Sequence, residues 1–296
     1  MSADNNDFGG GWSDKKLDVL ADYLQAYTTA MKKQPFELLY IDAFAGAGRA
    51  LVEEQREDSL FDNSEIESDA TYRHGSPLQA IRNDPPFQRF IFIDRNEESM
   101  ATLRLQCEQT DAAKSGRISY ITGDANTELL KIAKSDLLKR GKRAVAFLDP
   151  YALHVTWDTI KAIAETKAID MWLLFPAMAV NRMLPRSGIV PPVWADKLTE
   201  TFGDDEWRSV FFRTETADLF GMETTSKTPE PFQKLSEYVT SRLRSVFAGV
   251  VDTPLLLRNS GNAPLFLLCF GSGHPTGAVI AKRIANHIIR KQSHGK

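Results

Sequence analysis

The sequence predicts an α/β fold with a Rossmann-like, doubly wound and mostly parallel sheet that an antiparallel hairpin closes. Through the first 180 residues, short continuous apolar runs of strand length alternate with helical patterns. Apolar strands separated by amphipathic helices are typical of a parallel sheet with helices on both faces. Two later apolar runs, residues 250–257 and 265–270, are joined by a short turn-rich link. We therefore expect the last strands to form an antiparallel hairpin.

The predicted elements begin after a Gly-rich leader, residues 1–12. Ser13 can cap a first helix, whose apolar residues recur at every third or fourth position up to Met31. Pro35 ends this helix, and a first strand follows at residues 36–41. Further strands are predicted at residues 90–93, 118–121, 144–148 and 171–175, and helices at residues 96–107, 126–140 and 157–166.

Two segments interrupt this alternation. Residues 51–74 contain eight acidic and two basic residues, which predicts a solvated loop, with a lid over a site as the alternative. Residues 181–248 show a helical pattern and are expected to form a helical subdomain, for which a winged-helix-like module is one candidate. Residues 13–180 and 249–296 then form the sheet domain.

The composition excludes several classes of protein. The 296 residues are 43% hydrophobic and 25% charged, as in globular proteins, which excludes a disordered or collagen-like chain. A net charge of −3 provides no global attraction for nucleic acid, so such contacts must be local. Cys107 and Cys269 are too few for a disulfide framework. The chain shows no signal peptide and no apolar run near the ~20 residues of a membrane helix, so we expect a cytoplasmic protein.

The first predicted strand ends in a glycine-bearing loop, Asp42-x-Phe44-Ala-Gly46-x-Gly48. In parallel sheets, ligands bind at the carboxyl ends of the strands. Glycines let the backbone approach a ligand, and the carboxylate can accept hydrogen bonds from hydroxyl or ammonium groups. A nicotinamide loop would need a third glycine at position 51, which is Leu51, so a nicotinamide oxidoreductase is disfavoured. A plain strand-to-helix turn would also explain Gly-x-Gly.

Carboxylates also follow the next two strands. Asp94 ends the second strand, where an acidic residue can hold the two ribose hydroxyls of a nucleoside. Asp124, before Ala125, ends the third strand and could accept a hydrogen bond from an adenine amino group, with a helix cap as the alternative. Three consecutive strands that each end in a carboxylate predict a nucleoside-containing ligand.

The fourth strand ends in Asp149-Pro150-Tyr151. This tripeptide resembles the motif of methyltransferases that act on exocyclic amino groups. An arylamine is a poor nucleophile because its lone pair is delocalised into the ring. A carboxylate and a backbone carbonyl that accept both N–H bonds would favour the pyramidal amine, while the aromatic ring stacks on the target. The methyl donor of such enzymes is a sulfonium, and in-line attack of the amine on its methyl group needs no metal. The alternative is a proline-containing turn with a buried tyrosine.

Together, these motifs resemble the three-Cys-motif partner family, TcmP, whose members are similar to class I S-adenosylmethionine-dependent methyltransferases. The likeness extends from Trp12 to Pro275. It is carried by residues 40–46, 75–78, 92–94, 123–126, 147–151 and 174–182. The resemblance implies S-adenosylmethionine near Asp42, Phe44, Gly46, Gly48, Asp94, Asp124 and Ala125. It implies a methyl acceptor at Asp149, Pro150 and Tyr151.

The sequence therefore predicts an S-adenosylmethionine-dependent N-methyltransferase of a nucleic-acid base or a nucleobase-like acceptor. Nucleic-acid amino methyltransferases usually carry two prolines before the aromatic residue, whereas this chain has one. The alternative is a non-catalytic adaptor with the same fold that serves a three-Cys-motif partner similar to radical-S-adenosylmethionine proteins. His154 is a second candidate at the site, as a general base or to position the substrate, with a surface or helix-capping histidine as the alternative. Residues 276–296 carry five basic and no acidic residues, which suits either phosphate contacts or an exposed helix face.

Overall fold

A computed structural model describes residues 11–47, 75–139, 141–216 and 223–294. Gly48 and the acidic segment 51–74 lie outside the described residues, so the predictions about them stay predictions. The strands are β1 (Glu37–Asp42), β2 (Arg89–Asp94), β3 (Ile118–Thr122), β4 (Lys142–Leu148), β5 (Ile169–Phe175), β6 (Phe212–Thr216), β7 (Glu223–Lys227), β8 (Gly249–Val250), β9 (Leu255–Arg258) and β10 (Pro264–Ser272).

The helices cover both faces of the main sheet. They are α1 (Gly11–Met31), α2 (Ser76–Ile81), α3 (Glu97–Cys107), α4 (Asp111–Lys114), α5 (Ala125–Lys134), α6 (Trp157–Glu165), α7 (Ala177–Arg182), α8 (Pro192–Phe202), α9 (Trp207–Phe211), α10 (Pro231–Arg244) and α11 (Ala278–His294). Helix α1 starts at Gly11, two residues before the cap predicted at Ser13, so Trp12 is helical. None of the described helices combines the length and the apolarity that crossing a membrane requires.

The main sheet has eight strands in the order β3-β2-β1-β4-β5-β10-β8, with β9 also paired to β10. Strands β1 to β5 pair in parallel, and β10 is antiparallel to each of its three partners. This arrangement confirms the predicted architecture, a mostly parallel α/β sheet that antiparallel strands close.

The closing hairpin differs from the prediction in one detail. Residues 250–257, predicted as one strand, form the end of β8 and most of β9, which both pair with β10. Residues 251–254 lie between them, and Pro254, which has no N–H group to donate to a ladder, directly precedes β9. The antiparallel pairing of β9 with β10 confirms the predicted hairpin itself.

Two apolar clusters lie on opposite faces of the sheet because successive strand residues point to opposite sides. Leu39 and Ala146 belong to one cluster, together with α5, α6, α8 and α10. Tyr40 and Phe147, their neighbours in the chain, belong to the other cluster, together with α1, α3 and α11. The buried strands thus hold the ends of β1 and β4 between two helical layers.

Residues 181–248 contain more than helices. Helices α8, α9 and α10 lie within this range, and β6 and β7 add a two-stranded antiparallel sheet that we did not predict. Their sequences, FRTET and ETTSK, lack the alternating apolar pattern of a half-buried strand. Leu198, Phe202 and Trp207 are buried in the same cluster that covers one face of the main sheet. The segment is therefore packed onto the sheet through a shared core.

Candidate functional site

The predicted site residues lie along the carboxyl edge of the parallel strands. Asp42 of β1 is paired in register with Phe92 of β2 and with Phe147 of β4. Asp94 and Asp149 therefore each lie two residues further along their strands, towards the carboxyl end, than the residue that pairs with Asp42. Because β3 pairs with β2 in the same direction, the loop that carries Asp124 opens on this edge as well.

Asp42 is a fully buried carboxylate at this edge. The Tyr40 hydroxyl donates a 2.9 Å hydrogen bond to its Oδ2 atom. Its Oδ1 atom is also buried, and no donor among the described residues reaches it with hydrogen-bond geometry, although the Ser76 hydroxyl and the Phe44 amide lie near enough to the carboxylate to act on its pKa. Burial, reinforced by the negative charge of Asp149, raises the pKa of Asp42 to about 7, although the hydroxyl groups of Ser76 and Tyr40 act to lower it. A ligand cation at Oδ1 would supply the missing partner.

The loop after β1 is held by the neighbouring strands. The Ala43 amide donates to the Phe147 carbonyl, and the Ala45 amide donates to the Ile93 carbonyl, both at 3.0 Å. Gly46 has a φ of +57°, a left-handed conformation that favours glycine. Among the described residues, no heavy atom lies within 4 Å of the place where a Cβ atom at Gly46 would be, so none of them blocks the approach to this backbone. Phe44 packs against the core beside it.

Asp94 fastens this loop to β2. Its Oδ2 atom accepts a 2.8 Å hydrogen bond from the Gly46 amide, and its Oδ1 atom accepts one of the same length from the Asn96 amide. Each carboxylate oxygen has a second lone pair, and the side chain is only partly buried. Asp94 can therefore accept hydrogen bonds from two ligand hydroxyl groups while it keeps the loop in place.

Asp124 is the N-cap of α5, which confirms the alternative reading of this residue. Its Oδ1 atom accepts hydrogen bonds from the amide and the hydroxyl of Thr127, both at 2.9 Å. The cap uses Oδ1, and the side chain is exposed, so Oδ2 can still accept a hydrogen bond from a ligand. Ala125, the next residue, is buried at the first position of α5.

Asn126 connects the loop after β3 to the loop after β4, a role that our sequence reasoning missed. Its Nδ2 atom donates a 2.7 Å hydrogen bond to the His154 carbonyl. Its Oδ1 atom accepts bonds from the Thr156 amide at 3.1 Å and the Thr159 hydroxyl at 2.8 Å. This one amide side chain fixes the position of the segment that carries Tyr151 relative to α5.

The Asp149-Pro150-Tyr151 motif leaves β4 with its aromatic ring exposed. The Tyr151 ring is 55% exposed, so the predicted alternative of a buried tyrosine is wrong. It lies parallel to the His154 ring, with the ring centroids 6.4 Å apart. Pro150 is buried, and Ala152 has a φ of +53°, which turns the chain sharply after the motif. The motif thus presents a carboxylate and an aromatic face at the edge of the sheet.

A lysine from the first helix contacts this motif. Lys16 Nζ lies 2.5 Å from Asp149 Oδ2, although 133 residues separate them. The ammonium also lies 5.0 Å from the centroid of the Trp12 ring. No sequence signal connects a helical lysine to a distant strand end, so our sequence reasoning missed Lys16 as well.

His154 is half-buried beside Tyr151. Burial lowers its pKa, and the positive charges of Arg95 and Lys197 lower it further. The imidazole is therefore neutral at physiological pH, as a hydrogen-bond acceptor or general base would need. The predicted helix-cap alternative is wrong, because Thr156 is the N-cap of α6.

The comparisons with known proteins show a general likeness of fold. No protein-family model and no curated protein matches the sequence, so TcmP membership stays a prediction. Protein LPL1258 from Legionella pneumophila is similar at 15% identity, over 79% of this chain and 93% of its own, with a TM-score of 0.41. Trm1 from Pyrococcus horikoshii, solved with S-adenosyl-L-methionine, is similar at 10% identity over 94% of this chain, with a TM-score of 0.46.

This chain spans 60% of Trm1. TYW2 from M. jannaschii, solved with AdoMet, is similar at 10% identity, over 90% of this chain and 77% of its own, with a TM-score of 0.33. At these identities and TM-scores, the likenesses assign no activity and no residue role to this chain.

Proposed function

We propose that the protein is an S-adenosylmethionine-dependent methyltransferase that methylates an exocyclic amino group of a nucleic-acid base or a nucleobase-like acceptor. The observation that carries this proposal is the set of carboxylates at one edge of the sheet, above all the buried and unpartnered Oδ1 atom of Asp42. A buried polar atom without a partner destabilises a fold, and at the end of a sheet strand it is most easily explained as a ligand contact.

The residues present fit the cofactor. Asp42 can accept hydrogen bonds from the ammonium of the methionine part, which approaches over the open backbone at Gly46. Asp94 can hold the ribose hydroxyls with its two free lone pairs, as acidic residues at this position do in nucleotide-binding sheets. Asp124 can accept a hydrogen bond from the adenine amino group through Oδ2, with Ala125 beside it.

At the acceptor side, Asp149 accepts one N–H bond of the target amine, and the backbone carbonyl of Pro150 can accept the other. These bonds keep the nitrogen lone pair out of conjugation with the ring. The exposed Tyr151 ring stacks on the target base. When bound, S-adenosylmethionine supplies an electrophilic methyl group on a sulfonium. The N–C bond would form as the bond between the methyl group and sulfur breaks, the cofactor would leave as a neutral thioether, and Asp149 would accept the proton that the methylated nitrogen loses.

An exposed aromatic ring beside a carboxylate suits a flat, heteroaromatic target. A base in a duplex would have to be unpaired or flipped out to reach Tyr151. The net charge of −3 gives little general attraction for phosphates, which favours a locally recognised or already single-stranded site.

Calorimetry with S-adenosylmethionine tests the cofactor half of the proposal. We expect binding by the intact protein, at least 10-fold weaker binding by Asp94→Ala, and unchanged binding by the exposed control Asp196→Ala. Incubation with labelled S-adenosylmethionine and fractionated cellular DNA, RNA and metabolites tests the acceptor half. No binding, or labelling of no fraction, would contradict the proposal.

A second candidate is a non-catalytic adaptor for a three-Cys-motif partner, the other function that the TcmP resemblance implies. The observation that favours it is the Lys16 contact, which occupies one oxygen of the predicted acceptor carboxylate. An adaptor would capture its partner equally well after Asp149→Ala and would transfer no methyl group. An enzyme would lose methyl transfer in the same variant.

A further inference from the structure

The ion pair between Lys16 and Asp149 joins the first helix to the acceptor loop. The two charged atoms lie 2.5 Å apart, and the Lys16 side chain is only 12% exposed, against 26% for Asp149. An exposed ion pair gains little, because water screens the charges and two mobile side chains must be ordered. This pair is largely removed from solvent, so the attraction is stronger and the geometry is better defined.

Helix α1 is built to hold the lysine at this place. Trp12 lies one helical turn before Lys16, and its ring contacts the ammonium at 5.0 Å from the ring centroid. Trp12 itself packs against Phe266 of β10, with the ring centroids 4.9 Å apart. The ammonium is therefore held between an anchored aromatic ring and the Asp149 carboxylate, and it loses little further freedom when the pair forms.

The positive charge of Lys16 lies beside two neighbouring carboxylates, Asp149 and Asp42. Asp149 lies close enough to the buried Asp42 carboxylate for its negative charge to raise the pKa of Asp42. Among the described residues, Lys16 is the cation paired with Asp149. The lysine balances one charge of this carboxylate pair, which lowers the free energy needed to keep Asp149 beside Asp42.

The two carboxylate oxygens of Asp149 differ in their contacts. Oδ2 of Asp149 contacts Lys16, whereas Oδ1 accepts no hydrogen bond from the described residues. With one oxygen held, the carboxylate cannot rotate freely about its Cβ–Cγ bond. The direction of the second oxygen is then fixed as well.

We propose that Lys16 is a positioning residue for methyl transfer, which holds Asp149 by Oδ2 so that Oδ1 faces the acceptor amine. This inference rests on the proposed methyltransferase function. Lys16 acts through Asp149 and touches neither the cofactor nor the acceptor. Its removal lowers the rate of transfer because the N–H acceptor is no longer fixed, while the contacts of Asp42, Asp94 and Asp124 stay in place. A misplacement of about 1 Å can cost about 100-fold in rate.

The test compares three variants of the full chain. Lys16→Met keeps the apolar stem and removes the charge, Lys16→Arg keeps a cation that can pair with Asp149, and Lys15→Met is the control. Lys15 is the exposed neighbour on the same helix. For each protein, we would measure the S-adenosylmethionine Kd by calorimetry, the thermal midpoint, and the rate of label transfer to fractionated cellular DNA, RNA and metabolites.

We expect Lys16→Met to lose about 10- to 100-fold in the rate at saturating acceptor, with the cofactor Kd within about 3-fold of wild type. Lys16→Arg should recover part of that loss, and Lys15→Met should match wild type. Equal rates for wild type and Lys16→Met would overturn the positioning role and leave the methyltransferase proposal intact. Loss of cofactor binding by Lys16→Met, or a Lys16→Arg variant as slow as Lys16→Met, would also overturn the positioning role and leave the methyltransferase proposal intact. Labelling of no fraction by wild type would overturn the proposed function and this inference with it.

Discussion

Replacing Asp42 by asparagine should make the protein more stable and weaken its cofactor binding. The folded protein raises the pKa of Asp42 from 3.8 to about 7. The folded protein therefore binds a proton at the Asp42 carboxyl more tightly than the unfolded chain does. The free energy of unfolding accordingly falls as the pH rises from about 4 to about 7, and it changes little above that. At ~1.4 kcal/mol per pKa unit, three units make the ionised carboxylate cost about 4 kcal/mol above pH 7.

Asparagine removes this cost but introduces one of its own. Its oxygen can accept the Tyr40 bond, while its NH₂ group would lie where the unpartnered Oδ1 now is. A buried donor without an acceptor costs about 1–3 kcal/mol. The net gain at pH 8 is therefore about 1–3 kcal/mol. The cost of asparagine does not change with pH. At pH 5 the carboxyl of Asp42 is protonated in the folded protein but mostly ionised in the unfolded chain, so wild type loses only ~1.5–2 kcal/mol there.

Urea unfolding at pH 5 and pH 8 provides the measurement. The stability of Asp42→Asn relative to wild type should increase by about 2–3 kcal/mol between these pH values. The exposed control Asp196→Asn should show no such change. Calorimetry should show at least 10-fold weaker S-adenosylmethionine binding by Asp42→Asn. A pH-independent stability difference would refute the titration argument, and unchanged cofactor binding would refute the ligand role of Asp42.

Four further variants test contacts of the loops and turns. Asp94→Ala should cost about 1–2 kcal/mol in unfolding free energy, measured in urea, because the Gly46 amide loses its acceptor; unchanged stability would contradict the anchoring role. Asn126→Ala should cost about 2–3 kcal/mol and increase amide exchange in the loop after β4, whereas exchange at the wild-type rate would show that other contacts hold that loop. Gly203→Ala should cost more than ~2 kcal/mol, because its Cβ would lie 2.0 Å from Trp157 and its φ is +80°. Gly116→Ala, at a φ of +67° with open space around it, should cost only ~1–2 kcal/mol, and equal losses would refute the steric reason.

The sheet could be predicted from the sequence because its strands are buried on both faces. Such strands are continuous apolar runs, and residues 36–41 and 144–148 match β1 and β4 to within two residues at each end. The same burial explains why the polar residues stand out. A carboxylate directly after an apolar run, as at Asp42 and Asp94, marks the end of a strand.

Contacts between distant segments could not be predicted in this way. Helical periodicity places Lys16 near the start of α1 but carries no information about which strand end the helix crosses. The unpartnered oxygen of Asp42 likewise depends on how α2 and β4 pack around it, which no local pattern records. Strands β6 and β7 were missed because their polar residues show neither a helical nor a strand period.

The position of β10 determines the order in which the sheet can be completed. This strand lies between β5 and β8, and among the described strands it is the one to which both β8 and β9 are hydrogen-bonded. During synthesis, the edge of β5 that faces away from β4 therefore has no strand to pair with until residues 264–272 leave the ribosome. A chain cut before Pro264 would expose that apolar edge and leave β8 and β9 unattached. Such a truncation should aggregate, although every residue of the candidate site would still be present.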